Sequence, residues 1–256
     1  MELNEIVSKV TDPYERQARL YPALLAFFPV ISLLSLLYGP KLSVVSNIVM
    51  YAISCGGLYL LTNICREFGK RIEPKLFKKW GGKPSTQLLR HRDSTIETIT
   101  KNRYHDFLSK NINVSFPNPE QERLNPVAAD EIYQSAVRWL LNHTRDTKRF
   151  SILFQENISY GFRRNALGMK PLALMICFIN IFLILFEQYV FTIDSSGFFT
   201  NMNILKALPE RAVLSLTVSF MMMITWLLFF NKTSVRTAAF SYAETLLRAC
   251  DELNVK

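Results

Sequence analysis

The sequence predicts an all-α integral membrane protein, with four transmembrane helices arranged as two hairpins that flank a helical cytosolic domain. Three observations carry that expectation. Four long stretches are free, or nearly free, of charge, and each approaches the roughly 20 apolar residues a helix needs to cross a bilayer. The net charge of +9 is concentrated between the second and third stretches. That charged middle shows no alternation of period two; its apolar residues recur at helical spacing.

Residues 1–19, "MELNEIVSKVTDPYERQAR", read as a cytosolic amphipathic helix. The stretch is acidic at its start and lacks a basic region followed by an apolar core, so it does not read as a signal peptide. Residues 20–65 form the first hairpin. Its first span, Leu20–Tyr38, carries Pro22 and Pro29, and Pro29 is expected to kink it because proline removes a backbone donor. After a three-residue turn, "GPK", comes Leu42–Cys65. This span holds the polar and small residues Ser43, Ser46, Asn47, Ser54, Gly56 and Gly57. Such residues face other helices or a polar cavity, because lipid cannot satisfy them. They are candidate helix-packing or pore-lining positions.

Residues 66–170 form a basic helical cytosolic domain. They contain 20 Lys and Arg against 11 Asp and Glu, the whole net charge of the chain. Cytoplasmic segments retain lysine and arginine, so this segment and both termini are expected on the cytoplasmic side. Its first part, "REFGKRIEPKLFKKWGGK", carries Arg66, Lys70, Arg71, Lys75, Lys78, Lys79 and Lys83, and Arg90, His91 and Arg92 follow in "RHRD". These ten are the candidate lipid- or ligand-binding residues. A basic run beside a membrane helix is attracted to anionic lipid by about 1 kcal/mol per charge, which is the favoured reading; an acidic ligand such as a nucleotide or RNA is the alternative. "STIE", Ser94 to Glu97, looks like a capping box opening a helix. "VSFPNPEQERLNP" reads as a proline-rich connector. Asn125 and Pro126 then read as the cap and first position of the next helix. A further helix from Asp146 is expected to end at Gly168.

Residues 171–230 form the second hairpin, with spans Pro171–Thr192 and Ala212–Phe230. Glu187, the one charge in the third span, lies near its outer end and suits the headgroup layer. Residues 231–256 form a cytosolic amphipathic helix. Its stripe Val235, Ala239, Tyr242, Leu246, Ala249 and Leu253 is under three heptads long, and suits docking on the cytosolic helices better than a free coiled coil. The four cysteines, Cys55, Cys65, Cys177 and Cys250, form no C-x-x-C pair and read as reduced thiols. The histidines have no metal spacing, so neither metal nor cofactor is expected. "GGK" at Gly81–Lys83 is too short for a phosphate loop and reads as a turn.

One short motif stands apart. Arg138 and His143 in "RWLLNH" have the R-x4-6-H spacing of HEPN ribonucleases, although Trp139 replaces the usual polar residue after the arginine. In layout, a few membrane helices joined to a basic helical module, the chain resembles the multi-span membrane effectors of bacterial anti-phage systems of the retron, cyclic-oligonucleotide and CRISPR-accessory types. The resemblance implies a homo-oligomeric, non-enzymatic effector of the bacterial inner membrane. It would perturb the bilayer in response to a cytosolic protein, nucleotide or nucleic acid. The alternatives are a constitutive channel or structural membrane protein, and a membrane-tethered HEPN-like RNase using Arg138 and His143.

Overall fold

The computed structural model describes residues 12–37, 56–194, 197–200 and 208–254. The chain divides into two compact units, Met1–Arg71 with Phe162–Asn231, and Ile72–Gly161 with Lys232–Lys256.

In the first unit the chain enters through a π-helical segment, Glu15–Leu20, that runs directly into α1, Tyr21–Leu37. Asp12 starts it by accepting a hydrogen bond from the Tyr14 amide (2.7 Å). The helix continues through Pro29. Helix α2, Gly57–Trp80, follows; its residues 57–71 belong to this unit. Helix α7, Ser151–Glu187, contributes residues 162–187, and α8 spans Glu210–Leu228. Strands β1, Phe191–Asp194, and β2, Gly197–Thr200, pair antiparallel between α7 and α8, with Phe191 opposite Thr200. Among the described residues, three helical stretches are long and apolar enough to cross a membrane: Glu15–Leu36, Ser151–Glu187 and Glu210–Leu228. The predicted second span lies largely in residues 38–55, outside the described residues, as do Ser43, Ser46, Asn47 and Ser54.

The surfaces of these helices explain why they suit a bilayer. Phe178, Phe182, Met221, Ile224 and Leu228 are all exposed. A water-soluble fold rarely leaves an apolar surface of that extent uncovered. Many of the residues buried in this unit are small: Ala23, Ala26, Cys65, Ala166, Ala173 and Cys177 are fully buried in one cluster, beside Met169 and Trp226. Small side chains let helix backbones approach, which is the main source of helix attraction where lipid removes the hydrophobic drive.

Polar groups set the register. Asn165 donates to the Ala18 carbonyl (2.7 Å) and Asn180 donates to the Pro29 carbonyl (3.2 Å), so α7 runs parallel to α1. Asn180 also donates to the Ser219 hydroxyl (2.7 Å), and Lys170 donates to the Leu227 and Phe230 carbonyls (both 3.0 Å), so α8 runs antiparallel to α7. Lys170 thereby occupies carbonyls that the last turn of α8 leaves without helical partners.

Gly168 does not end its helix. Helix α7 runs from Ser151 to Glu187 through both Gly168 and Pro171. The glycine is there for packing instead: a Cβ on it would stand 2.6 Å from the backbone carbon and oxygen of Phe68. Backbone atoms cannot swing aside, so Gly168→Ala is expected to cost about 1–3 kcal/mol through overpacking. Thermal unfolding of the detergent-solubilised chain measures this, beside Gly69→Ala, where the obstructing atom belongs to the Asn165 side chain.

The second unit is helical throughout its described residues. It contains the end of α2, then α3 (Pro84–Leu89), α4 (Thr98–Ile112), α5 (Pro119–Leu124), α6 (Pro126–His143), the start of α7, and α9 (Lys232–Asn254). One core joins Leu88, Leu89, Tyr104, Leu108, Tyr133, Leu140, Leu246 and Leu247. The C-terminal part of the stripe on α9 docks into this core, with Leu246 and Ala249 buried in it and Tyr242 and Leu253 half-buried at its edge, and Val235 and Ala239 are buried as well. Asn125 caps α6 by accepting from the Ala128 amide (3.1 Å), with Pro126 at the first position.

Two expectations for this unit need correction. "STIE" does not open α4, which starts at Thr98 with Glu97 as a cap that forms no side-chain bond. Asp93 accepts the Thr95 amide (2.9 Å) and holds that stretch as a turn. The connector "VSFPNPEQERLNP" contains a helix, α5. Its capping box is formed by Asn118 and Gln121, each bonding the other's backbone amide (2.8 and 2.9 Å).

Candidate anion-binding face

The basic run lies on one continuous helix. Arg71, Lys75 and Lys78 follow at steps of four and three, which places them on one face of α2. Lys70, Arg71, Lys75, Lys78, Lys79 and Lys83 are exposed, and Arg66 is half-buried beside Glu67 (3.7 Å). Lys75, Lys78 and Lys79 have no acidic partner within 4 Å among the described residues. Lys83 reaches Gln134 at 3.4 Å. The helix ends in a glycine turn: the Gly82 amide bonds back to the Phe77 carbonyl (2.9 Å) and Gly81 to Lys78 (3.4 Å). Gly81 and Gly82 have φ of +86° and +134°, values that side-chain-bearing residues avoid. "GGK" is therefore a helix stop.

Of the other predicted ligand residues, Arg90 is engaged in a buried polar lock, His91 is half-buried beside it, and Arg92 is exposed at its edge. Arg90 is 8% exposed. It donates to both carboxylate oxygens of Asp130 (2.8 and 2.6 Å) and to the Gly81 carbonyl (2.9 Å), tying the turn to α6. The His91 amide donates to Glu122 (2.8 Å), which also accepts from the Tyr133 hydroxyl (2.8 Å) and has Arg92 at 3.9 Å. The ring of His91 bonds the Pro117 carbonyl (2.9 Å).

Sequence reasoning overlooked the inner half of this lock. Lys101, 3% exposed, donates to the carbonyls of Arg90 (2.8 Å) and Asp93. Burial holds its ammonium below the usual lysine range, against the pull of Asp93 and Glu122. His105 bonds the Leu89 carbonyl (2.7 Å), lies stacked on Tyr133, and meets His91 edge-on. Burial pushes it down to about 4, so it is neutral at pH 7. The lock fastens the loop after α3 to α4, α5 and α6. Among the described residues no three metal-ligating side chains converge.

Arg138 is exposed on α6. His143, the last residue of that helix, is also exposed. Five residues apart on a helix, the two point about 140° away from each other. His143 stacks on Trp139 (3.9 Å between rings) and bonds the Trp139 carbonyl (2.8 Å). Gly56 adopts φ +82° just before Gly57 opens α2. Glu187 ends α7 in an exposed position. Cys65, Cys177 and Cys250 are buried free thiols.

No known protein family, no curated protein and no solved structure matches the chain.

Proposed function

We propose that the chain is a membrane effector. In this reading four spans form two hairpins in a bacterial inner membrane, both termini lie in the cytoplasm, and several copies assemble. The basic helical domain meets a cytosolic partner or an anionic ligand, and the spans respond by perturbing or permeabilising the bilayer. The observation that carries the reading is helix α2. It is apolar at its start, and over its last three turns it exposes Arg71, Lys75, Lys78 and Lys79. A cation row on a helix that enters the apolar unit is suited to pass ligand binding to the spans.

The test is dye release from liposomes containing the purified full chain, with and without RNA or nucleotides. Release that rises on adding the ligand and is blunted by Lys75→Gln/Lys78→Gln/Lys79→Gln is expected. Liposomes that stay sealed under every condition contradict the proposal.

A further inference from the structure

A concave site within the second unit brings together charges that the sequence leaves more than 150 residues apart. Lys79 and Trp80, at the end of α2, face Lys232, Thr233 and Arg236, in the first turns of α9, around a cleft of about 320 Å³. Lys79, Lys232 and Arg236 are exposed and have no acidic partner within 4 Å among the described residues. Three uncompensated cations on one small concavity repel one another, so the site is stabilised by an anion. The geometry around them is fixed by aromatic rings. Arg236 lies over the Phe240 ring (5.1 Å), Trp80 packs against Phe240 (6.5 Å), and Phe77 packs against Trp80 (5.9 Å).

We propose that this cleft binds the phosphate of an anionic phospholipid headgroup. Position along the chain selects lipid over a free phosphate. Lys232 stands two residues after Phe230 and four after Leu228, where the apolar α8 ends. The headgroup layer extends roughly 5–7 Å beyond the hydrocarbon on each side, within reach of a lysine side chain four residues past the span. Tryptophan concentrates in the same layer, and the half-buried Trp80 shares the cleft. The inference rests on the chain being a membrane protein and not on its opening the membrane.

The experiment is native mass spectrometry of the full chain in detergent with dioctanoyl phosphatidylglycerol or dioctanoyl phosphatidylcholine. Separate arms add millimolar inorganic phosphate or ATP as competitor. Phosphatidylglycerol is expected to bind at least about tenfold tighter than phosphatidylcholine, and Lys79→Gln/Lys232→Gln/Arg236→Gln to abolish that preference. Lys110→Gln/Arg123→Gln/Lys148→Gln, exposed and outside both the cleft and the basic row of α2, is expected to stay within about twofold of wild type. Arg236→Gln alone, a minimal surface change, is expected to lose about threefold and covers any folding defect of the triple variant. Unchanged lipid retention in the cleft variants overturns the proposal, as does equal loss in the control triple. Displacement of the lipid by phosphate or ATP assigns the cleft to a soluble ligand and overturns it too. None of these readouts involves leakage, so their failure is separable from that of the effector reading.

Discussion

Replacing Arg90 with alanine is expected to cost about 3 kcal/mol of stability in the helical unit. The residue looks like one more cation in a basic stretch, but its guanidinium is buried and each of its three nitrogens donates, two to Asp130 on α6 and one to the Gly81 carbonyl. Breaking a buried pair from one side costs about 3–5 kcal/mol, because the partner charge is left without compensation. Asp130 keeps 24% of its side chain exposed, which argues for the low end. For a unit of this size the loss lowers the melting temperature by more than roughly 10 °C. Circular dichroism of the full chain in detergent measures it. Arg90→Lys keeps the charge but not the two-pronged geometry, so it belongs between wild type and alanine. An Arg90→Ala chain that melts within a degree or two of wild type would show that the lock does not hold the unit together.

Acid is expected to loosen the same unit through His105. The buried ring has a folded-state pKa of about 4 against an ordinary value of 6.5. The unfolded chain therefore takes up a proton first as pH falls. The stability contributed by the neutral ring is fully present above about pH 6.5, is lost as pH falls toward 4, and does not change further below that. A shift of this size corresponds to something on the order of 3 kcal/mol. The charged and titratable groups around the ring are His91, Lys101, Glu122 and the Tyr133 hydroxyl. His105→Gln keeps a donor toward the Leu89 carbonyl and does not titrate. Melting temperatures from pH 7.5 to 4.5 are expected to fall more steeply for wild type than for His105→Gln. Parallel profiles would assign the acid sensitivity elsewhere.

The contrast between Arg90 and its neighbours shows what the sequence could and could not convey. Three of the four predicted apolar spans match helices of the structure, because length and absence of charge are local properties. The cap of α6 was legible because Asn125 and Pro126 are adjacent, and the docking stripe of α9 because it repeats along one helix. The lock was not legible. Glu122 and Tyr133 are 11 residues apart, and Arg90 and Asp130 are 40 apart, so only the fold brings them together. "STIE" misled because the helix starts only at Thr98, with Glu97 itself at the cap, while Asp93 holds the preceding stretch as a turn through the Thr95 amide. Gly168 misled because a glycine can serve close packing as well as helix termination, and the deciding neighbour, Phe68, is 100 residues away. Asn180 offered a usable signal, a side-chain amide amid an apolar run, and Asn118 with Gln121 offered another three residues apart. The cleft between α2 and α9 needed two distant parts of the chain, since neither Lys79 with Trp80 nor Lys232 with Arg236 is distinctive alone.

The most direct test of the effector reading is the membrane potential of bacteria induced to express the chain, measured beside an Arg138→Ala/His143→Ala variant. His143 stacks on Trp139, and Arg138 points away from it, so the pair is expected to be dispensable. The expected result is collapse of the potential in both strains. Growth arrest with the potential intact, relieved only in the double variant, would contradict the effector reading and make "RWLLNH" a chemical site.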